Sequence, residues 1–112
     1  MKITVEAATD CIGIGGMGGR HDVYLNGEIK GWLGLFNKVK IRNVPEGENI
    51  VTILTDKIEG KGKVKKNIRL TSTKNVHIWI RRKPDLWGRA VYETLILGED
   101  VTVIEEKDTE ER

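Results

Sequence analysis

Apolar and polar residues alternate with a period of two along most of this chain, and this alternation limits the folds open to it. In Lys38–Arg42, Val39 and Ile41 alternate with three cations, and Val76–Ile80 repeats the pattern. Successive side chains of a β-strand point to opposite faces, so each such segment can bury one face and leave the other in water. Apolar residues at helical spacing are scarce. The sequence therefore predicts an all-β protein.

The chain is short enough for a single core. It has 112 residues, of which 38% are hydrophobic and 32% charged, a balance that favours one folded domain with a heavily charged surface. About eight candidate strands, with turn signals between them, predict a small antiparallel β-sandwich, immunoglobulin-like or jelly-roll-like. We expect this domain at residues 1–104 and an acidic, disordered tail at 105–112.

Individual strands differ in how strongly their residues specify them. Ile50–Thr55 is β-branched at most positions, so we expect it at the centre of a sheet. Asn26-Gly27 favours a tight hairpin turn. Residues 85–97 leave two alternatives, a short helix or a strand paired as a hairpin with Val101–Ile104. We prefer the hairpin, because β-branched residues recur in the segment.

The net charge of +2 conceals two segments of opposite sign. Residues 38–83 carry 13 basic and 4 acidic residues, whereas residues 99–112 carry 7 acidic and 2 basic. Such asymmetry suits an anionic partner or contact between copies of the chain, and it also suits a solvated surface. The lysines from Lys61 to Lys66 resemble the charges that guard an edge strand against pairing. With no Gln and abundant Lys and Glu, the composition is typical of a thermophilic source.

Residues 23–53 combine turn and strand signals in a fixed order. Val23-Tyr-Leu-Asn-Gly-Glu-Ile-Lys-Gly31 precedes an alternating strand, then Pro45-Glu-Gly47, then Ile50-Val-Thr-Ile53. This order resembles the PEGA domain, in which a hairpin, a Pro-Gly turn and a strand follow one another. Trp32-Leu-Gly-Leu-Phe36 stands where that family carries Thr-Pro. The resemblance implies an immunoglobulin-like sandwich that serves as an accessory, surface or interaction module without catalytic residues.

Residues 12–20 are rich in glycine and interrupt the alternation. Gly13 to Gly18 spells Gly-x-Gly-x-x-Gly, but a dinucleotide-binding loop of that form opens a helix, and here a strand pattern follows. We expect instead a loop that becomes ordered against a neighbouring subunit. The side chains that we expect in this protein contact are Ile12, Ile14, Met17, Trp32 and Phe36.

A second hypothesis assigns the basic region 57–83 to binding of nucleic acid or of an acidic polysaccharide. Lysine and arginine bind a phosphate backbone without regard to sequence, and tryptophan stacks on bases or sugar rings. The residues that would bind are Lys61, Lys63, Lys65, Lys66, Arg69, Trp79, Arg81, Arg82, Lys83 and Trp87. Solvated strands would explain the same charges, and packing in a core or an interface would explain the tryptophans.

No arrangement of residues in the sequence favours catalysis. Cys11 is the single cysteine, so neither an internal disulfide nor a multi-thiolate metal site can form. Its neighbours His21 and Asp22 have no fixed spacing to it across the glycine-rich segment. We therefore predict no enzyme activity, no cofactor and no metal.

The function that we predict is self-assembly into a homo-oligomer or filament through protein contact, with nucleic acid as a less favoured partner. The first residues lack the apolar stretch of a signal peptide, and no apolar run is long enough to cross a bilayer. We expect no membrane insertion and a cytoplasmic location, or a surface or virion location if the sequence is trimmed or the protein assembles.

Overall fold

Nine β-strands form the part of the chain that the computed structural model describes, which comprises residues 1–8, 20–34, 37–56, 62–84 and 90–111. They pack as two sheets, which confirms the predicted all-β sandwich. Within these ranges no helix is long and apolar enough to span a membrane. The strands are β1 (Ile3–Ala7), β2 (His21–Leu25), β3 (Glu28–Leu33), β4 (Lys38–Ile41), β5 (Gly47–Asp56), β6 (Lys63–Ser72), β7 (Val76–Pro84), β8 (Ala90–Gly98) and β9 (Thr102–Glu111).

The two sheets contain five and four strands, and nearly all neighbouring strands run antiparallel. The five-stranded sheet has the order β3-β2-β5-β6-β9, and the four-stranded sheet has the order β4-β1-β7-β8. Neighbouring strands are antiparallel except β1 and β7, which run parallel with Ile3 opposite Val76. β5 lies at the centre of its sheet, as its β-branched residues predict. The edge strands are therefore β3, β4, β8 and β9.

The core lies between the sheets and consists of aliphatic side chains. Val39 and Ile41 are buried while Lys38 and Lys40 are exposed, as the alternation predicts. Because one face of the inner strands is withdrawn from water, hydrophobic burial holds the two layers together. The buried apolar residues of the described ranges are Ile3, Val5, Ala7, Val23, Leu25, Leu33, Val39, Ile41, Val44, Val51, Ile53, Ile68, Leu70, Val76, Ile78 and Ile80.

The predicted hairpin turn between β2 and β3 is confirmed. Asn26 and Gly27 have φ angles of 50° and 86°, the positive values that a type I′ turn requires at both central positions. The Asn26 side chain also accepts a hydrogen bond from the Ile50 amide at 2.8 Å and donates one to Asn49 Oδ1 at 2.9 Å. Asn49, which is 1% exposed, donates in turn to the Pro45 carbonyl. These bonds fix the turn against the central strand.

β8 and β9 correct the prediction for the last third of the chain. Residues 90–98 form a strand rather than a helix, but they do not make a hairpin with the following segment. β8 pairs with β7, whereas β9 pairs with β6 in the opposite sheet. The chain crosses between sheets at Gly98, where a Cβ atom would lie 3.1 Å from the Asn75 carbonyl oxygen. Only glycine allows this close approach without a shift of the neighbouring backbone.

The acidic segment predicted as a disordered tail is an edge strand. β9 continues to Glu111, and its acids lie opposite cations of β6, with Asp108 opposite Lys66 and Glu105 opposite Arg69. Opposite charges on directly facing positions stabilise an antiparallel pair. β6 is thus an interior strand, and the prediction that Lys61 to Lys66 guard an edge is wrong for the described lysines.

The pairing of β6 with β9 includes a buried charged residue, Lys66. Its side chain points between the sheets, is 8% exposed as a residue, and places Nζ 3.0 Å from Asp108 Oδ1. A buried ammonium requires a counter-charge, because desolvation otherwise outweighs what its methylene stem gains. The inner side of β9 supplies that charge.

Four of the strands end at one end of the sandwich. β1, β3, β5 and β7 end there, and the strands that follow them begin there, as the registers require. The segments between these strands and the strands that follow them contain six of the residues predicted from the sequence to bind a partner or ligand. Those residues lie outside the described ranges: Ile12, Ile14, Met17, Phe36, Lys61 and Trp87.

The pairing of β6 with β9 predicts unequal effects of two substitutions. Asp108→Ala leaves the buried ammonium of Lys66 without its carboxylate and should lower the free energy of unfolding by about 1–3 kcal/mol. Lys66→Met retains an apolar stem of similar length and removes the charge, so it should cost less. Urea denaturation followed by circular dichroism measures both. A larger loss for Lys66→Met than for Asp108→Ala would contradict this account of the pair.

Candidate functional site

Exposed apolar side chains lie mainly on the edge strands. Of seven large hydrophobic residues that are exposed within the described ranges, six belong to β3, β8 or β9, and the seventh is Ile50 on β5. An edge strand presents unpaired backbone groups, and apolar side chains beside them favour pairing with another chain. The six are Ile29, Trp32, Leu95, Leu97, Val103 and Ile104.

Trp32 is the one predicted contact residue that the structure describes. It lies on edge strand β3 with 45% of its surface exposed, opposite Asp22. The Arg20 guanidinium carbon sits 5.4 Å from the centre of its ring, and Arg20 Nε lies 3.1 Å from Asp22 Oδ1. The ring is therefore held by a cation–π contact on the surface and does not belong to the core.

A second apolar surface, which we call the β8 patch, consists of His77, Trp79, Leu95 and Leu97 on the outer face of the four-stranded sheet. Trp79 lies opposite Leu95, and His77 lies opposite Leu97. The rings of His77 and Trp79 stack with centroids 4.5 Å apart and an angle of 12° between planes. The Leu95 and Leu97 side chains are more than half exposed, at 57% and 51%.

The neighbours of the β8 patch hold it in place. His77 Nε2 lies 2.5 Å from Glu6 Oε1, and this contact fixes the imidazole against the indole. A cleft of about 440 Å³ opens beside Trp79 and Leu95, and its described walls include the ion pair of Arg81 and Glu93. Such a cleft has room for an apolar side chain from another molecule.

The described residues among those predicted to bind nucleic acid do not form one surface. The register places Lys65 and Arg69 on the outer face of the five-stranded sheet, whereas Trp79 and Arg81 lie on the outer face of the other sheet. Lys66 points between the sheets. Lys63 and Lys65 lie on β6 opposite Glu111 and Thr109, and Arg82 and Lys83 are at the end of β7. The molecule thus divides this set among three faces.

Several of these cations have acidic partners within the chain. Lys66 lies 3.0 Å from Asp108, Arg69 lies 3.3 Å from Glu48, and Arg81 lies 2.9 Å from Glu93. A phosphate would have to displace these carboxylates, which lowers the gain from each contact. Binding of nucleic acid stays a prediction that this geometry does not strengthen.

Asp100 forms the most densely hydrogen-bonded turn that the structure describes. Its carboxylate accepts bonds from the Ser72 hydroxyl at 2.5 Å, from the Thr73 hydroxyl, and from the amides of Thr73 and Lys74. These donors, chiefly Ser72 and then Thr73, lower the pKa of Asp100 from 3.8 to about 2. Asp100 thereby ties the β8–β9 crossing to the β6–β7 crossing, so we assign it a structural role. No local pattern in the sequence indicates this role of Asp100, because its partners are distant along the chain.

Metal-binding chemistry finds no support in the described ranges, where no group of three or more His, Cys, Asp or Glu side chains is placed to hold an ion.

Comparison with known proteins gives no match: no family model fits the sequence, and no curated protein or solved structure is significantly similar to it. The resemblance of residues 23–53 to the PEGA domain therefore stays a prediction. Arguments about function have to rest on the surfaces described above.

The lowered pKa of Asp100 predicts how stability depends on pH. Because the pKa in the folded state lies below the ordinary value of 3.8, the stabilisation by this carboxylate is present above about pH 4 and is lost as the pH falls towards 2. Asp100→Asn should lower the thermal midpoint at pH 7 and flatten its decline between pH 4 and pH 2. Glu99→Gln, one residue away, is the matched control. A decline that is equally steep in Asp100→Asn and in the original protein would contradict this role.

Proposed function

We propose that this protein acts through contact with other protein chains and associates with copies of itself. The observation that carries the proposal is the placement of exposed apolar side chains on edge strands, described above for β3, β8 and β9. Burying such side chains against a second chain gains hydrophobic free energy, and pairing the strand edges satisfies backbone donors and acceptors at the same time. A copy of the same chain is always present to supply that second edge.

The charges of the molecule favour association through apolar edges over association through opposite charge. The acidic strand β9 already faces the basic strand β6 of its own chain, with Asp108 opposite Lys66 and Glu105 opposite Arg69. Charge complementarity that is used within one chain is not available to orient two chains. The predicted role of the acidic and basic segments in setting the orientation between copies is therefore not part of this proposal.

The proposed function makes no use of a catalytic group. The described titratable side chains pair mainly with one another, as Arg81 does with Glu93 and His77 with Glu6. Those pairs hold the outer face of the four-stranded sheet in a fixed arrangement. A rigid surface with apolar side chains suits recognition of another chain, because little conformational entropy is lost on binding.

Self-association predicts a mass in solution above that of one chain. Size-exclusion chromatography with light scattering should give a multiple of 12.6 kDa, and the mass should rise with protein concentration. The measurement is made over a series of concentrations up to about 1 mM, where even a weak contact is populated. A mass of one chain throughout that series would overturn the proposed function.

A further inference from the structure

The four edge strands differ in how they are protected against pairing. β4 has four residues, of which Lys38 and Lys40 are exposed. β9 has ten residues and is strongly acidic. β3 carries Glu28 and Lys30, which form an ion pair at 3.3 Å. Short length and charge are the devices by which natural edge strands avoid pairing with other chains.

β8 has neither device. It extends over nine residues, Ala-Val-Tyr-Glu-Thr-Leu-Ile-Leu-Gly, and Glu93 is its single charged residue. That carboxylate accepts hydrogen bonds from Arg81 Nε at 3.1 Å and from Arg81 Nη2 at 2.9 Å, so it is engaged within its own sheet. Long, apolar and nearly uncharged edges favour the addition of a further strand.

We propose that β8 pairs antiparallel with β8 of a second copy about a two-fold axis at Leu95, so that two four-stranded sheets join into one of eight strands. This inference rests on the proposed function, since it names the surface through which the copies meet. An isologous contact brings the same patch of both copies together, so the patch has to complement itself.

The sequence of β8 meets that condition in this register. An antiparallel pair centred at Leu95 sets Leu95 against Leu95 of the second copy, and Leu97 against Glu93. The two Glu93 carboxylates therefore do not face each other. The β8 patches of the two copies then join across the axis into one apolar surface, and the cleft beside Trp79 and Leu95 lies next to it. On the inner face, Tyr92 and Ile96 pack against the core.

The other edges are less suited to such a pairing. A two-fold pairing of β9 with itself would bring Glu105, Glu106 and Asp108 of two copies close together, and like charges on facing strands are destabilising. β3 is a six-residue strand that carries the exposed ion pair of Glu28 and Lys30, the charged protection that β8 lacks. The second copy is thus best accommodated at β8.

The β8 contact also predicts a dependence on salt. Because the two-fold axis at Leu95 is perpendicular to the joined sheet, the five-stranded sheets of both copies lie on the same side, and their acidic β9 edges approach each other. Salt screens that repulsion and strengthens apolar association. The dimer should therefore become tighter as salt rises, whereas a contact between opposite charges would become weaker.

A pair of matched lysine substitutions tests the surface. Leu95→Lys places two ammonium groups at the axis and should raise the dissociation constant at least about tenfold in light scattering. Ile104→Lys, at a similarly exposed position on β9, is the control and should leave the dimer no weaker. Circular dichroism and thermal midpoints close to those of the original chain establish that both variants fold.

A cysteine variant tests the register in the same way. Facing residues of an antiparallel pair have Cα atoms about 4.5–5.5 Å apart, within reach of a disulfide. With Cys11→Ser as background, Leu95→Cys should form a covalent dimer on oxidation, and Ile104→Cys should not. A dimer that persists in Leu95→Lys, with no cross-link at position 95, would overturn the β8 contact and leave self-association standing. An original chain that is monomeric throughout would overturn both proposals.

Discussion

Burial of one face of the inner strands against the opposite sheet is the interaction on which the rest of this structure depends. The aliphatic rows of β5 and β6 in one sheet and of β1 and β7 in the other supply most of the buried apolar residues. At roughly 25 cal/mol per Å² removed from water, such rows outweigh any polar contact described here. This burial stabilises the two layers, whereas turns and ion pairs determine the order of the strands within each sheet.

Charge then selects the neighbours within that frame. β6 carries cations on both faces, and one of them, Lys66, points into the interior. A strand of this composition is stable in the middle of a sheet only where acids face it. β9 supplies those acids, and the uneven charge of the chain is thus resolved within one molecule. Of the other edges, β8 and β3 carry exposed apolar residues such as Leu95 and Trp32, and these side chains, rather than net charge, are the basis of the proposed association.

The sequence predicts local features of this fold well and distant pairings poorly. Period-two alternation identifies β4 and β7, β-branched residues identify β5, and Asn26-Gly27 identifies the hairpin turn, because each signal depends on adjacent residues. The pairing of β8 and β9 with different partners depends on contacts across sheets, such as the bonds from Ser72 and Thr73 to Asp100, which no local pattern reveals. The sequence does contain one signal for the position of β9: the basic residues at 63–69 and the acidic residues at 105–111 have opposite charges, as facing strands require. For the candidate site, the sequence identifies Trp32 but not the apolar edge at Leu95, since exposure depends on which strands lie outermost.

The parallel pairing of β1 with β7 has a consequence for biogenesis. Ile3 lies between Ile41 and Val76 in its sheet, so β1 cannot complete its pairing until β7, far along the chain, has been synthesised. Until Pro84 has emerged, the nascent chain exposes the aliphatic row of β1 on an incomplete layer. Contacts between residues so far apart in sequence form slowly, because loop closure precedes any gain from packing. Completion of the four-stranded sheet is therefore expected to be slower than formation of the local hairpin of β2 and β3.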